Sequence, residues 1–461
     1  MEGGQATAPR GSERAEAIRS RLAEILGEPP SGEVRRLSGG ASRETYLYDR
    51  GGRGRLILQC EHAGKPTGEP PGQAALLQAA AAAGVPVAAV VAHGAGDPVL
   101  GVAWTLVEAV PGTSDPAEIL TSASPQSLLD DIAGALAAVH RMPADPALAP
   151  PAEEPLAQLR ALHDHLGEPH PVFELAFRTL GEDVAPAPTA LVHGDFRIGN
   201  LMVDGDRVTG VLDWELTHLG DPAEDLGWLC VPAWRFSRPD RPAGGLGTRE
   251  ELLAAYARHA GSAPSMQQLR RWELAGTLRW GVICVMQAFS HLSGARRSVE
   301  HAVIGRRACE VEWDLLELLD PGSSEPSPGG TDPADPPPLP PGPHDRPTAL
   351  ELIDAARGAL GDQVLPLLDG RPAFELRVSL RALGMVRREL ELSTRHAQVR
   401  AAALADLGVD DERALAAAIR DGAFEERRGE LLAALRALAR AKLEAANPGY
   451  LKTYENDREE T

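Results

Sequence analysis

Cysteine is scarce in this chain. Four occur in 461 residues, Cys60, Cys230, Cys284 and Cys309, and no two stand in C-x-x-C spacing. That spacing excludes the common zinc and dithiol motifs and argues against a disulfide framework; it suits reduced thiols in a cytosolic protein. Long apolar runs are missing as well. The most apolar stretch, residues 74–92, contains Gln78 and is interrupted by Gly84-Val85-Pro86, leaving an Ala-rich helical half and a strand-like half, each too short to cross a bilayer. The opening MEGGQATAPRGSERAE lacks the apolar core of a signal peptide. Positive charge is in deficit: 46 Lys and Arg stand against 66 Asp and Glu, a net charge of −20. This disfavours nucleic acid and anionic membranes as partners, and a cytoplasmic location is expected. With 43% hydrophobic residues, the chain is globular and long enough for two or three domains.

The most informative stretch is His193-Gly194-Asp195-Phe196-Arg197-Ile198-Gly199-Asn200, with Asp213 thirteen residues beyond the asparagine. Phosphoryl transfer needs such a set: one Asp to orient or deprotonate the attacking hydroxyl, and an Asn and a second Asp for the magnesium that bridges the phosphates. Leu201-Met202-Val203 and Val208 to Leu212 are apolar runs on either side of Asp204-Gly205-Asp206, the pattern of a hairpin. Asn200 begins the first strand and Asp213 follows the second. Antiparallel pairing sets the two side by side, where both can ligate one hard cation through oxygen. Asp195 stands five residues before Asn200, the spacing of the kinase catalytic loop H-R-D-x-x-x-x-N. A capping Asp and an ordinary hairpin would explain each part singly, but not their conjunction.

The segment LVHGDFRIGNLMVDGDRVTGVLDWELTHLGDPAEDLGWLC, residues 191–230, resembles the aminoglycoside phosphotransferase family of the protein-kinase-like superfamily. Within it, the segment is most similar to the branch related to the kinase-like domains found with acyl-CoA dehydrogenases. The resemblance extends over about residues 15–319. It implies an α+β, bilobal kinase-like fold, with a small β-rich N-lobe (1–110) and a larger, mostly helical C-lobe (111–320). It also implies ATP- and Mg2+-dependent transfer of a γ-phosphate to a hydroxyl of a small molecule. On this reading Asp195 is the catalytic base, Asn200 and Asp213 are the magnesium ligands, and His193 is a structural member of the loop. Arg197 is placed on substrate or phosphate, or in a surface ion pair. Ser38, Gly39, Gly40 and Ser42 form the nucleotide-covering turn, whose backbone N–H groups approach phosphate oxygens. The backbone from Glu108 to Val110 is the hinge that meets adenine. Asp221 and Asp225 are expected to be structural, with the carboxylate capping the next helix.

One pair of positions departs from the family. Its third strand usually ends in Lys or Arg, paired with a Glu on the following helix. Here Gln59 follows Arg55-Leu56-Ile57-Leu58, and the spacing from Val85-Pro86 puts Gln73 at the helix position. Two glutamines can hydrogen-bond and keep the helix docked, but bring no positive charge to phosphate; Lys65 and Arg43 are candidates to supply it. The departure is the support for an alternative, a non-catalytic kinase-like binding or scaffolding protein. For an enzyme, the branch suggests a hydroxy acid or hydroxyacyl-CoA acceptor, and the family name an aminoglycoside. Phosphoester hydrolysis ranks third, since no second metal cluster is visible.

Elsewhere, residues 13–26 read as an amphipathic helix and 126–140 as another that ends near His140, taken as a helix-end residue. Trp228, Trp234, Trp272, Trp280 and Trp313 are read as packing. Residues 321–346, PGSSEPSPGGTDPADPPPLPPGPHDR, are a linker too rich in Pro and Gly to bury a core. Residues 347–446 carry apolar positions at helical spacing and form an expected helical bundle, followed by a tail, 447–461. The bundle resembles a small helical domain often joined to such phosphotransferases, and is the expected surface for a protein partner or self-association.

Overall fold

The structure, a computed structural model, describes residues 11–29, 32–37, 43–61, 72–151, 155–181, 189–321 and 346–452. Residues 322–345 of the expected linker lie outside the described residues, as do Ser38, Gly39, Gly40, Ser42 and Lys65. In chain order the elements begin with α1 (Gly11–Leu26), β1 (Glu33–Arg36), β2 (Arg43–Asp49), β3 (Arg55–Glu61), α2 (Gln73–Ala82), β4 (Val90–Asp97) and β5 (Gly101–Glu108). Helices α3 (Pro116–Ser122), α4 (Pro125–His140), α5 (Pro155–Leu166) and α6 (Pro171–Leu180) follow. Next come β6 (Ala190–Val192), β7 (Leu201–Asp204), β8 (Arg207–Val211), β9 (His218–Gly220) and α7 (Ala223–Cys230). The rest is helical: α8 (Arg249–Ala260), α9 (Met266–Leu292), α10 (Val299–Gly305), α11 (Ala308–Leu319), α12 (Ala349–Gly358), α13 (Gly370–Leu407), α14 (Glu412–Arg420) and α15 (Arg428–Ala446). The expected α+β class, a kinase-like fold followed by an all-helical region, is what the chain adopts.

Packing groups the chain into two compact units, Met1–Ala152 with Ala187–Leu229 and Ala243–Met266, and Glu153–Pro186 with Cys230–Pro242 and Gln267–Thr461. The first contains a five-stranded antiparallel sheet in the order β1-β2-β3-β5-β4. Alternation along the strands decides its two faces. Tyr46 and Tyr48 of β2 and Leu56, Leu58 and Cys60 of β3 are buried in one core with Ile18 and Leu22 of α1. The residues between them point the other way. Arg43 pairs with Glu61 and Thr45 with Gln59, so Arg43 and Gln59 share the face opposite the α1 core. The hairpin read from the sequence forms as β7 and β8, with Leu201 opposite Val211. A bulge between Met202 and Val203 leaves Thr209 unpaired in the ladder, and its hydroxyl donates to Pro111 O at 2.6 Å.

In the second unit, α5, α6 and α9 to α11 pack with α12 to α15. The expected boundary at residue 320 is therefore not a break in packing. Trp313, Leu315 and Leu316 of α11 share a core with Leu435, Leu438 and Ala439 of α15. Arg436 of α15 donates to Glu317 Oε1 at 2.5 Å and to Asp320 O at 2.8 Å. The segment expected to be a tail continues this packing: Leu451 is buried, and Tyr450 Oη donates to the Asp314 carboxylate at 2.9 Å. Buried Glu174 of α6 accepts from Arg160 of α5 and Arg420 of α14. Burial alone would raise its carboxyl; the two guanidiniums outweigh it and hold it low. His163 and Asp164 approach Glu174 closely enough to suggest a metal cluster, but the arginines already occupy its oxygens. All four cysteines are free and buried, and burial pushes Cys60, Cys284 and Cys309 up to about 12. Among the described residues, no helix is long and apolar enough to cross a membrane.

His163 and His170 lie buried beside this network, and burial first, then neighbouring charge, lowers both to about 4 from 6.5. The folded state keeps the rings neutral where the unfolded chain takes up protons. Stability is thus fully present above pH 6.5 and is lost as pH falls toward 4, on the order of 3 kcal/mol per histidine. Denaturant unfolding followed across this window should show the decline, and His170→Gln should flatten it; an unchanged profile would contradict the neutral buried rings.

Candidate active site

The site is built outward from a buried strand. Strand β6 pairs with β9, Val192 opposite His218, and delivers the chain into His193-Gly194-Asp195. Gly194 has φ of 80°, and a Cβ there would sit 2.4 Å from Leu216 O, so the turn requires glycine. The backbone is fixed by Asp225, whose carboxylate accepts His193 N–H at 2.7 Å and Gly194 N–H at 2.8 Å. Asp225 is fully buried. Burial by itself would raise its carboxyl, but His140, His193 and the backbone donors outweigh that and hold it below the ordinary carboxylate range. His140 Nε2 lies 3.1 Å from Asp225 Oδ2, and its Nδ1 2.8 Å from Tyr256 Oη. His193 is buried and its pKa is pushed down by that burial. Its Nδ1 accepts Asp195 N–H at 3.2 Å, which leaves Nε2 to donate to Leu212 O at 2.9 Å.

Asp195 is held on every side. Its Oδ1 accepts from Trp228 Nε1 at 2.7 Å and Arg197 Nε at 3.2 Å, and its Oδ2 from Asn200 Nδ2 at 2.6 Å. Its side chain keeps 16% exposure, enough to meet a ligand. Arg197 thus spends one donor on the candidate base itself. Asn200 is buried, and its Nδ2 also donates to Asp195 O at 2.9 Å. Its Oδ1 has no donor among the described residues. Leu212 N–H donates to Asn200 O at 2.8 Å, which extends the hairpin register by one pair and sets Asp213 beside Asn200. Asp213 has the left-handed φ of 61°, a conformation that Asp tolerates better than most residues. Its carboxylate takes no hydrogen bond among the described residues. It is open to solvent, yet enough protein surrounds it that desolvation, followed by the charges of Glu215 and Asp195, pulls its carboxyl above the ordinary range. Two undonated oxygens from a carboxylate and an amide fit a hard divalent cation such as magnesium.

The two glutamines meet as anticipated: Gln73 Nε2 donates to Gln59 Oε1 at 2.5 Å. Gln73 Oε1 accepts from Arg43 Nη1 at 2.8 Å. Arg43 also lies 3.3 Å from Glu61 and 3.5 Å from Glu215, close enough to Asp213 to lower its carboxyl slightly against the larger raising effects. In the hinge, Glu108 N–H is committed to Ala89 O at 2.9 Å, while Val110 N–H has no partner among the described residues. Asp221 caps α7, accepting Ala223 N–H at 2.9 Å. Asp225, expected to cap as well, does not: it lies within the first turn of α7 and turns its oxygens to the loop.

Four contributors escaped sequence reasoning. His140, taken as a helix end, and Tyr256 support Asp225. Trp228, taken as packing, orients Asp195. Glu215 contacts Arg43. One signal was available: Asp225 and Trp228 stand three apart on α7, so they share a helix face.

An Asp on the loop after a buried strand, an Asn five residues on and a second Asp across a hairpin form the arrangement expected of a phosphotransferase of the kinase-like class. Comparison with known proteins agrees. The model of the phosphotransferase enzyme family matches residues 33–268, just over half of the chain, and the chain belongs to that family. A domain of unknown function, DUF6285, matches residues 366–450. Acyl-CoA dehydrogenase family member 11 of Pongo abelii is 34% identical over 141 residues, 28% of this chain and 17% of that protein. Acyl-CoA dehydrogenase family member 10 of Mus musculus is 39% identical over 87 residues, 16% of this chain and 8% of that protein. The chain thus spans a small part of the length of these curated relatives. A crystal structure from Ralstonia eutropha, described as an aminoglycoside phosphotransferase, aligns with a TM-score of 0.53 at 21% identity, covering 66% of this chain and 97% of that one. At that identity the likeness concerns the fold.

Asp225→Asn removes the charge that two N–H groups and His140 stabilise. We expect a loss of about 2–4 kcal/mol in denaturant unfolding, with phosphotransfer falling further than the unfolded fraction explains. Wild-type stability and turnover in this variant would show that the loop does not depend on the carboxylate.

Proposed function

We propose that the protein is an ATP- and Mg2+-dependent kinase of a small-molecule hydroxyl, acting in the cytoplasm. The observation that carries this reading is the Asp195 carboxylate, held by Trp228, Arg197 and Asn200, beside two oxygens of Asn200 and Asp213 that take no donor among the described residues. In the reaction, Asp195 orients the acceptor hydroxyl and takes its proton as the oxygen attacks the γ-phosphorus. Asn200 and Asp213 would hold the magnesium, which when bound offsets charge on the β and γ phosphates. Gly194 and the anchored His193 keep the base from drifting, so little reorganisation accompanies transfer. Val110 N–H, without a partner among the described residues, would meet the adenine edge.

Arg43 takes over the charge that the Gln59–Gln73 pair cannot supply. Those glutamines form a neutral strut that holds α2 to the sheet, and Gln73 in turn seats the guanidinium beside Glu215 and Asp213. An arginine so placed offers planar donors to phosphate oxygens. The acceptor we favour is a hydroxy acid or hydroxyacyl-CoA, because the curated relatives that match are acyl-CoA dehydrogenase family members. The aminoglycoside reading has only the fold behind it.

A kinase-like scaffold is the second reading, favoured by the uncharged Gln59–Gln73 pair. Melting with and without magnesium-ATP separates the two, since a ligand of the native state raises the midpoint; no shift at millimolar nucleotide would favour the scaffold. For the enzyme, a panel of hydroxy acids, hydroxyacyl-CoA species and aminoglycosides assayed for ADP release should yield an acceptor. With it, Asp195→Asn should lower kcat by about 10²–10⁴-fold, far beyond what its loss of folded protein explains. Parental turnover in that variant would remove Asp195 as the base. Arg43→Ala should raise the KM for ATP about tenfold or more, with Arg43→Lys intermediate; an unchanged KM would leave the phosphate charge to another group.

A further inference from the structure

The second unit contains a cavity of about 700 Å³, within the range that encloses small-molecule ligands. Four arginines line it, Arg307, Arg357, Arg381 and Arg388, with a single carboxylate, Glu310. A chain with a net charge of −20 has concentrated positive charge at one place in a helical region where no catalytic group is found.

Two of the four are explained by the fold. Arg307 donates to Glu310 at 2.8 Å and lies over the Trp280 ring. Arg388 caps the end of α15, donating to Ala445 O at 2.7 Å and Ala446 O at 3.3 Å. The other two are not. Arg381 is exposed and has no ion-pair partner among the described residues. Arg357 Nε is buried with no hydrogen-bond partner, and its nearest carboxylate, Asp354, lies 3.8 Å from Nη1 and is shared with Arg387 at 2.9 Å. An undonated buried N–H costs free energy, and the guanidiniums repel one another: burial and then Arg357 and Arg387 pull Arg388 below its ordinary value. Gly384, in the middle of α13, lies between two of them: a Cβ there would meet nitrogens of Arg357 and Arg388 at 3.5 Å, an ordinary contact. Phe236 and Tyr450 add aromatic surface, and Phe236 and Ser237 both hold positive φ at the rim.

Like charges gathered around an open volume, with an unsatisfied donor among them, are stabilised by an anion. Guanidinium forks match phosphate oxygens in geometry as well as in sign. We propose that this cavity binds a small molecule carrying a diphosphate or similarly clustered phosphate groups, gripped by Arg357 and Arg381 with Arg307 and Arg388 behind them. The aromatic surface receives its organic part. The site belongs to the helical unit and is independent of the phosphotransfer reading.

The test is isothermal titration calorimetry of the full-length chain with inorganic pyrophosphate in magnesium-free buffer containing a chelator. Saturable binding is expected, weakening as salt rises, and weakened tenfold or more by Arg381→Glu and by Arg357→Gln. Arg381 makes no ion pair among the described residues, so Arg381→Glu should melt with the parent and report on binding alone. Arg43→Ala should bind as the parent does. Absence of binding at millimolar pyrophosphate, parental affinity in both cavity variants, or loss in Arg43→Ala with retention in Arg381→Glu would each overturn the proposal. None of these results bears on whether ADP is released from ATP.

Discussion

The candidate site depends on one buried carboxylate that is not itself placed to react. Asp225 accepts the N–H groups of two consecutive residues, His193 and Gly194, so it fixes the direction in which the chain leaves β6. That direction sets where Asp195 points. Trp228, one turn further along the same helix, then binds Asp195 itself at 2.7 Å. A single helix therefore sets both the backbone of the loop and the side chain it carries. The His140–Tyr256 pair behind Asp225 keeps the buried charge satisfied, and a buried carboxylate lacking such donors would protonate or swing away.

The face of the sheet turned away from α1 shows a second economy. Where an ion pair is expected, two neutral amides hold α2 in place, and the positive charge beside them is that of Arg43 on β2, sixteen residues before Gln59. Docking of the helix falls to the two amides, and Arg43 is the charged group that joins them. Arg43 reaches both Gln73 and Glu215, which ties the sheet to the segment just after Asp213.

Much of this was legible in the chain. The hairpin β7–β8 followed from two apolar runs around Asp204-Gly205-Asp206, and the neighbouring of Asn200 and Asp213 followed from antiparallel pairing. The partnership of Gln59 with Gln73 followed from the family resemblance, which pairs the end of the third strand with the helix after it. The role of Asp225 did not, because a carboxylate in the first turn of a helix most often satisfies that helix's own N–H groups, as Asp221 does. Nor did the reach of the second unit: α5, α6 and α9 to α11 pack with the C-terminal helices through Glu174, Arg420 and Arg436, contacts between residues more than a hundred positions apart.

Spacing along the covalent chain determined the loop, the hairpin, the three oxygen-bearing residues and the helical periodicity after residue 346, because these depend on neighbours a few residues away and on fixed strand and helix repeats. Tertiary packing alone decided which donors hold Asp195, that Arg43 lies beside Gln73, and that four arginines surround one cavity. Such contacts are made by side chains brought together only after the chain has folded, and an arginine's long, flexible stem gives no hint in sequence of which carboxylate, amide or open volume it will face.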